Sequence, residues 1–400
     1  MSGGQARSRV RGVLVIAEVA LSLVLLIGAG LMIKSLAHLL NVDPGFKADR
    51  ALTMNITLLG SKYPAANQQI AFFDDVRRRV EVLPGIESTG LISSAPLSGG
   101  VYAGGFSIEG RDAGSANEDL SADRRMISSE YFNALGIPIV RGRHFTERDN
   151  QASPGVAIVS ESLARRFLSN DDAIGQRIKL GGRDSTRPWL SIVGIAGDVR
   201  DTGLESDGRP CVYVPYPQFP SLSMSIVART GIDPKALISA IRNEVWAVDK
   251  DQPVTDIKTM DEYVAGSVSA RRANALLLTV FAVLALVLAS IGVYGVMAYS
   301  VTQRVHEIGI RMALGAQTSD VIKLIVGSGM ALVLAGVGIG IGGALALSRV
   351  LSSLLYGVSS TDPITFSLVS VILSSVALVA NYIPARRATK VDPMIALRHE

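Results

Sequence analysis

One cysteine, Cys211, occurs in 400 residues. A single thiol cannot build an internal disulfide, so every folded part of the chain must stand on packing alone. Histidine is nearly as scarce. His38, His144, His306 and His399 are scattered, and no His/Cys pair has the spacing of a metal site. No Gly-x-x-x-x-Gly-Lys-Ser/Thr stretch is present to cradle a phosphate, so ATP held in such a loop would have to be bound by another chain. Ser160 lacks the glycines of a nucleophile elbow. Asp198 and Asp201 have no histidine or nucleophile beside them in sequence and read as solvated surface acids. No set of residues reads as catalytic or metal-ligating. A net charge of +4 is too mild to mark a nucleic-acid binder.

Charge is also what four stretches lack. Residues 13–33, 276–299, 321–347 and 366–383 are apolar and nearly charge-free. Each is close to the ~20 residues that a helix needs to cross ~30 Å of hydrocarbon. A spanning segment must satisfy its own backbone, which makes these stretches helices in contact with membrane lipid. The first is too long for the apolar part of a signal peptide and has no small-residue cleavage site after it, so it is expected to stay as an uncleaved first helix. The pattern is one span, a long polar insert, then three spans. It divides the chain into residues 1–34, an extramembrane insert over 35–273, and a second membrane segment over 274–400. The fold class expected is membrane α-helical, with four transmembrane helices arranged 1+3 and a large α/β (α+β) domain between helices 1 and 2.

Basic residues set the orientation. Arg7, Arg9 and Arg11 precede the first span. Arg304, Arg311 and Lys323 lie between spans two and three, and Arg386, Arg387, Lys390 and Arg398 follow span four. With four spans these flanks share one side, and positive loops stay in the cytoplasm. Both termini are therefore expected inside and the insert outside. Arg271 and Arg272 break the rule, but long translocated segments largely escape it. Glu18 sits inside the first span. An intramembrane carboxylate is a functional candidate, and the alternative is that it faces a partner helix or snorkels to the interface.

Within the insert, residues 51–58 alternate like a strand, 66–83 carry Ile70, Phe73, Val76 and Val80 at helical spacing, and 86–93 read as a strand. A second β-α-β pattern occupies 224–229, 234–248 and 254–258. The two make a platform over 45–95 and 217–265, interrupted by a lobe over 96–216 that is rich in short strands. In the lobe, 156–159, 190–198 and 212–215 read as strands. Ser160 is placed to cap a helix, and Gly181-Gly182 reads as a hairpin turn. Gly99-Gly100 and Gly104-Gly105 bracket a stretch read as a hinge or exposed loop.

Gly338-x-Gly340-x-x-Gly343, with Asp362 beyond it, matches a dinucleotide fingerprint but lies inside the third span and follows no strand. The spacing fits helix packing better. Gly336 with Gly340, and Gly338 with Gly342, make two small-xxx-small faces that let helix backbones approach.

Between spans two and three, Arg304, Glu307 and Arg311 fall on one helical face over residues 303–316. Ile308, Met312 and Leu314 tend to the other, and Gly315 supplies a stop. The segment is an amphipathic surface helix, either a connector on lipid headgroups or a peg for a cytoplasmic partner.

The run Arg304-x-x-Glu307-Ile308-Gly309-Ile310-Arg311-x-Ala313-Leu314-Gly315-Ala316 resembles the coupling helix of FtsX/MacB-type ABC transporter permeases. Asp362-Pro363 before span four, Pro384-Ala385-Arg386-Arg387-Ala388 at its end and the tail Asp392-Pro393-x-x-Ala396-Leu397-Arg398-x-Glu400 carry the same likeness. Val42-Asp43-Pro44-Gly45-Phe46 and Gly194-Ile195-Ala196-Gly197-Asp198-Val199-Arg200 resemble the family's periplasmic core. The likeness covers essentially the whole chain and is nearest to one unit of the duplicated permeases of this family. It implies a multi-pass protein of the bacterial inner membrane that binds no cofactor itself. ATP would be bound by a separate cytoplasmic ABC ATPase docking at Arg304, Glu307, Ile308, Gly309, Arg311, Leu314 and Gly315. A homodimer or a second permease unit would complete the membrane part, and the chain is either self-pairing or one piece of a split gene. A periplasmic adaptor and an outer-membrane protein are implied as further partners. Two functions fit: mechanotransmission, in which ATP hydrolysis moves an outer head that exports or releases a substrate, and a signalling scaffold that activates an outer partner such as a cell-wall hydrolase.

Overall fold

The computed structural model describes residues 2–100, 102–111, 120–168, 173–181, 185–313, 317–352 and 355–389. Leu314, Gly315, Ala316, Gly182 and the tail motif from Asp392 lie outside the described residues. The chain divides into two compact units. One is Met1–Asn41 with Ala270–Glu400, and the other is Val42–Ser269. The boundaries fall several residues from those read in the sequence, because helix α1 (Ser2–Leu40) runs on past its apolar core and the next long helix already begins at Ser269.

The Val42–Ser269 unit begins with β1 (Ala51–Thr57), α2 (Ala66–Glu81) and β2 (Ile86–Ile92). The lobe follows: β3 (Ala103–Ile108), β4 (Ser121–Ile127), α3 (Tyr131–Leu135), β5 (Ile139–Gly142), β6 (Val156–Ser160), α4 (Glu161–Phe167), β7 (Arg177–Leu180), β8 (Leu190–Ala196) and β9 (Cys211–Pro215). The chain then returns through β10 (Ser223–Thr230), α5 (Ile238–Val248), β11 (Val254–Thr259) and α6 (Met260–Ser267). Gly104 and Gly105, read as part of a loop, lie in β3 and pair with Ala122 and Ser121.

The two β-α-β patterns interleave. The platform order is β11-β1-β10-β2, all antiparallel, so each crossover helix skips over a strand of the other unit. Phe72, Phe73, Val76 and Val80 of α2 and Ile241 and Val245 of α5 cover Leu52, Met54, Ile56, Met224 and Ile226 on one face. On the other, Tyr131 and Phe132 of α3 and Met260 and Tyr263 of α6 meet Ile92 and Val227. The α3 backbone comes so near β2 that a Cβ on Gly90 would sit 2.7 Å from the Tyr131 Cα.

The lobe closes on itself. β4 pairs with β3, β3 with β7, β7 with β8, β8 with β6, β6 with β9, and β9 returns to β4. Strands β6 and β9 are buried along their whole length, which explains why they read as short apolar runs without alternation. Ser160 ends β6 and caps α4, its Oγ accepting from Leu163 N at 3.3 Å.

Asp201 is buried, contrary to its sequence reading as a solvated acid. Its Oδ1 lies 3.7 Å from Nη2 of Arg125, itself 1% exposed, and Arg125 Nη1 donates to Gly100 O at 2.6 Å. Asp123 is buried nearby, and its Oδ2 has no hydrogen-bond partner among the described residues. Burial pushes the Asp201 carboxyl up to about 6; Arg125 opposes the rise and Asp123 adds to it. The unfolded chain releases this proton near pH 4, while the folded one holds it to about pH 6. Folded protein therefore binds more protons in that window, and this group's contribution to stability is lost as pH rises through it. Other carboxylates act oppositely, such as Asp249, held low by its bond to Lys62. The comparison must therefore be with Asp201→Asn. Both tryptophans, Trp189 and Trp246, lie in this unit. Urea unfolding followed by their fluorescence should show wild type losing about 2–3 kcal/mol relative to Asp201→Asn between pH 4 and 6. Parallel pH profiles for the two proteins would remove Asp201 as the titrating group.

Candidate functional site

The second unit contains α1, α7 (Ser269–Gln303), α8 (Val305–Ala313), α9 (Thr318–Leu351) and α10 (Pro363–Ala388). Four of them, all but α8, are long and apolar enough to cross a membrane. Three features of this unit bear on function: the short helix α8, the seams between the long helices, and a polar clamp at the far end of α1.

Helix α8 begins after a break at Arg304, where Ile308 N bonds back to Arg304 O at 2.9 Å. Its residues divide by side. Arg304, Glu307, Ile310 and Arg311 are exposed, and Arg311 Nη2 meets Glu307 Oε1 at 2.7 Å across one turn. Ile308 is buried against Met297 of α7, Val321 and Ile325 of α9 and Ala385 of α10, with Met312 packed beside them. Ile308, grouped in sequence with the docking residues, therefore holds α8 onto three long helices and does not face outward. Gly309 lies within the helix. Ile310 was missed. Its signal was present, since it stands three residues after Glu307 and so shares that face.

The seam between α1 and α9 rests on small residues. Val15, Val19, Leu23, Ile27 and Leu31 form one buried row along α1, spaced four apart. On α9, a Cβ at Gly336 would sit 2.8 Å from the Val19 Cβ, and one at Gly340 would sit 2.9 Å from Ala20 O. The second face expected from sequence is different. Around Gly338 and Gly342 no neighbour comes within 4 Å of an added Cβ. One glycine pair packs within the chain, and the other faces outward.

Glu18 faces α7. A Cβ on Gly292 would overlap its carboxylate, so that glycine leaves the room the acid occupies. Ser22 Oγ donates to Ala285 O at 2.9 Å, and the Arg11 guanidinium lies 4.0 Å from the centroid of the Tyr299 ring. The α1–α7 seam is thus polar where the α1–α9 seam is apolar. Asn381 of α10 is wholly buried. Its Nδ2 lies 3.7 Å from Met330 Sδ, and its Oδ1 has no partner among the described residues.

At its other end α1 is tied to the segment before α10. Lys34 Nζ meets Asp362 Oδ2 at 2.8 Å. The same carboxylate caps α10, accepting from Thr365 N at 3.1 Å and Thr365 Oγ1 at 2.6 Å. The bond from Lys34 holds the Asp362 carboxyl below the usual carboxylate range. Ser35 Oγ accepts from Tyr356 N at 2.8 Å, and the His38 ring packs where a Cβ on Gly357 would stand. The Asp362-Pro363 motif is thus both a helix start and one half of an ion pair.

Two family models match successive parts of the chain. The model described as MacB-like periplasmic core domain matches residues 13–244, and that described as FtsX-like permease C-terminal matches residues 279–393. The macrolide export ATP-binding/permease protein MacB of Hahella chejuensis (strain KCTC 2396) is 28% identical over 296 residues, covering 71% of this chain and 44% of that protein. The uncharacterized ABC transporter permease YknZ of Bacillus subtilis (strain 168) is 27% identical over 299 residues, 71% of each chain. This chain thus spans less than half the length of the first of these relatives. Among solved structures, the periplasmic region of MacB from Actinobacillus actinomycetemcomitans covers 56% of this chain and 95% of its own, at 14% identity and a TM-score of 0.37. The extracellular domain of YknZ from Gram-positive bacteria gives 51% and 100%, at 14% identity and a TM-score of 0.33.

The two glycine faces should answer differently to bulk. Gly340→Leu forces a side chain against the α1 backbone and should cost about 1–3 kcal/mol. Gly338→Leu meets open space and should stay within about 0.5 kcal/mol. Unfolding in detergent followed by helical circular dichroism decides the matter, and equal losses would mean that the seam is not where stability resides.

Proposed function

The chain belongs to the FtsX/MacB family of ABC transporter permeases, and from that premise we propose that it is a mechanotransmission subunit. A separate cytoplasmic ABC ATPase docks on the outward face of α8, and the Val42–Ser269 unit is the part that its work displaces. The observation that carries this reading is the two-sidedness of α8. Arg304, Glu307, Ile310 and Arg311 are offered outward, while Ile308 is fixed into α7, α9 and α10. A helix anchored in a close-packed cluster passes a push on to its neighbours, because packed interiors compress little. The α1–α9 glycine seam and the Lys34–Asp362 clamp couple α1 to the same body. The outer unit is continuous with the bundle at both of its ends, Val42 after α1 and Ser269 before Ala270 of α7.

In this reading ATP binds only to the partner. Both termini and α8 lie on the cytoplasmic side of a bacterial inner membrane, and the Val42–Ser269 unit lies outside. A homodimer or a second permease unit supplies the other half of the assembly. The relatives named for macrolide export put expulsion of a substrate first among the outputs. An adaptor and an outer-membrane duct are the partners such an output would need.

Two measurements test the proposal. Glu307→Ala and Ile310→Asp should reduce co-purification with the ATPase, and stimulation of its turnover, by at least ten-fold, since truncating a charge buried at an interface costs about 2–5 kcal/mol. The isolated chain should keep its melting temperature, because an exposed i,i+4 pair contributes only about 0.3–0.5 kcal/mol. Undiminished association in both variants would leave α8 as a connector on the lipid surface. For orientation, a single cysteine placed at the exposed Ala152 in a Cys211→Ala background should react with an impermeant maleimide from outside intact spheroplasts. Labelling only after lysis would reverse the assigned topology.

A further inference from the structure

A groove of about 420 Å³ opens on the surface of the bundle between α7 and α10. Ile291 and Tyr294 line it from α7, and Val376, Val379 and Ile383 line it from α10. The walls are apolar almost throughout, and Ile291 and Val379 are about 60% exposed to whatever surrounds the bundle (61% and 59%). From Val376 to Ile383 the groove follows about 10 Å of helix. One end has a different chemistry. Arg387 Nη1 donates to the Tyr294 hydroxyl at 3.1 Å. The other guanidinium N–H groups of Arg387, the Tyr294 O–H and the side chain of the exposed Arg386 have no partner among the described residues. The apolar stretch of α10 ends at Ile383, so Arg386 and Arg387 follow it within about a turn, where hydrocarbon gives way to headgroups.

We propose that this groove is a binding site for an anionic phospholipid, with an acyl chain along α7 and α10 and the phosphate held by Arg387, Arg386 and the Tyr294 hydroxyl. The division of labour follows from the solvent. A chain that leaves bilayer for an apolar wall gains nothing from the hydrophobic effect, because lipid tails are as apolar as the wall. Selection must therefore come from the headgroup. Arginine presents several N–H donors in a planar fork that matches phosphate oxygens. A zwitterionic lipid carries its own ammonium beside the phosphate and competes with that fork, whereas phosphatidylglycerol does not. The site is independent of the coupling reading, since it uses no residue of α8.

The full chain, purified in detergent doped with either dioleoyl phosphatidylglycerol or dioleoyl phosphatidylcholine, would be examined by native mass spectrometry for retained lipid. Phosphatidylglycerol adducts should survive at collision energies that strip phosphatidylcholine. Arg387→Gln should cut their retention about five-fold, the weight of one basic residue at an anionic lipid surface. Arg387→Lys, which keeps the charge but loses the planar fork, should fall between wild type and Arg387→Gln. Val379→Trp should abolish retention by filling the groove while leaving every donor in place. Val379 is exposed, so folding should survive, and unchanged helical circular dichroism in each variant confirms it. Equal retention of the two lipids by wild type would overturn the proposal, as would full retention in both Arg387→Gln and Val379→Trp.

Discussion

The close approach of α1 and α9 at Gly336 and Gly340 is the contact on which the membrane unit depends. Water cannot drive helices together inside a bilayer, so association there rests on how many atoms two surfaces bring into van der Waals range. The α9 glycines let the row Val15, Val19, Leu23, Ile27 and Leu31 settle against backbone, and α1, separated from α9 by most of the chain, becomes part of the same body. Everything attached to that body inherits its rigidity. This holds for α8 through Ile308 at one end and for the Lys34–Asp362 pair at the other.

The three seams of α1 differ in kind. Against α9 the contact is dry and small-residue. Against α7 it carries Glu18, Ser22 and Arg11. Toward α10 it is an ion pair at the helix mouth together with a close approach of Gly30 to Thr365. Polar contacts in hydrocarbon lose much when broken without replacement, yet they can be remade with a shifted partner more readily than a glycine seam can be rebuilt. Helix α7 is also the least buried of the four spans.

Much of this could be read from the residues. The spans followed from length and lack of charge, and the platform strands from alternation and their flanking turns. The Ser160 cap followed from residue type. What could not be read depends on partners far away in sequence. Interleaving of the two β-α-β patterns comes from β10 pairing with both β1 and β2, which a pattern of period two does not specify. Asp201 looked solvated because its burial depends on Arg125, which reaches it only once β4 and β9 pair. On α8 the sequence separated charged from apolar residues correctly. It could not tell that Ile308 would be taken by Ala385 and Met297 while Ile310 stayed outside, since hydrophobicity alone does not say which apolar residue has a neighbour.

The ring of six strands in the lobe has a consequence for assembly. A strand paired on both sides offers no main-chain donors or acceptors to a newcomer. Among the described residues β2 joins β4 through Ile92 alone, and β5 and β11 keep a whole free edge. Of these last two, β5 is four residues long, and β11 is irregular, with a register shift opposite Thr53/Asn55 and Asp256 at φ 47°. Short and kinked edges are poor templates for strand addition. Those two edges therefore resist zipping to copies of this domain, and the edge of β2 is the one left for main-chain pairing.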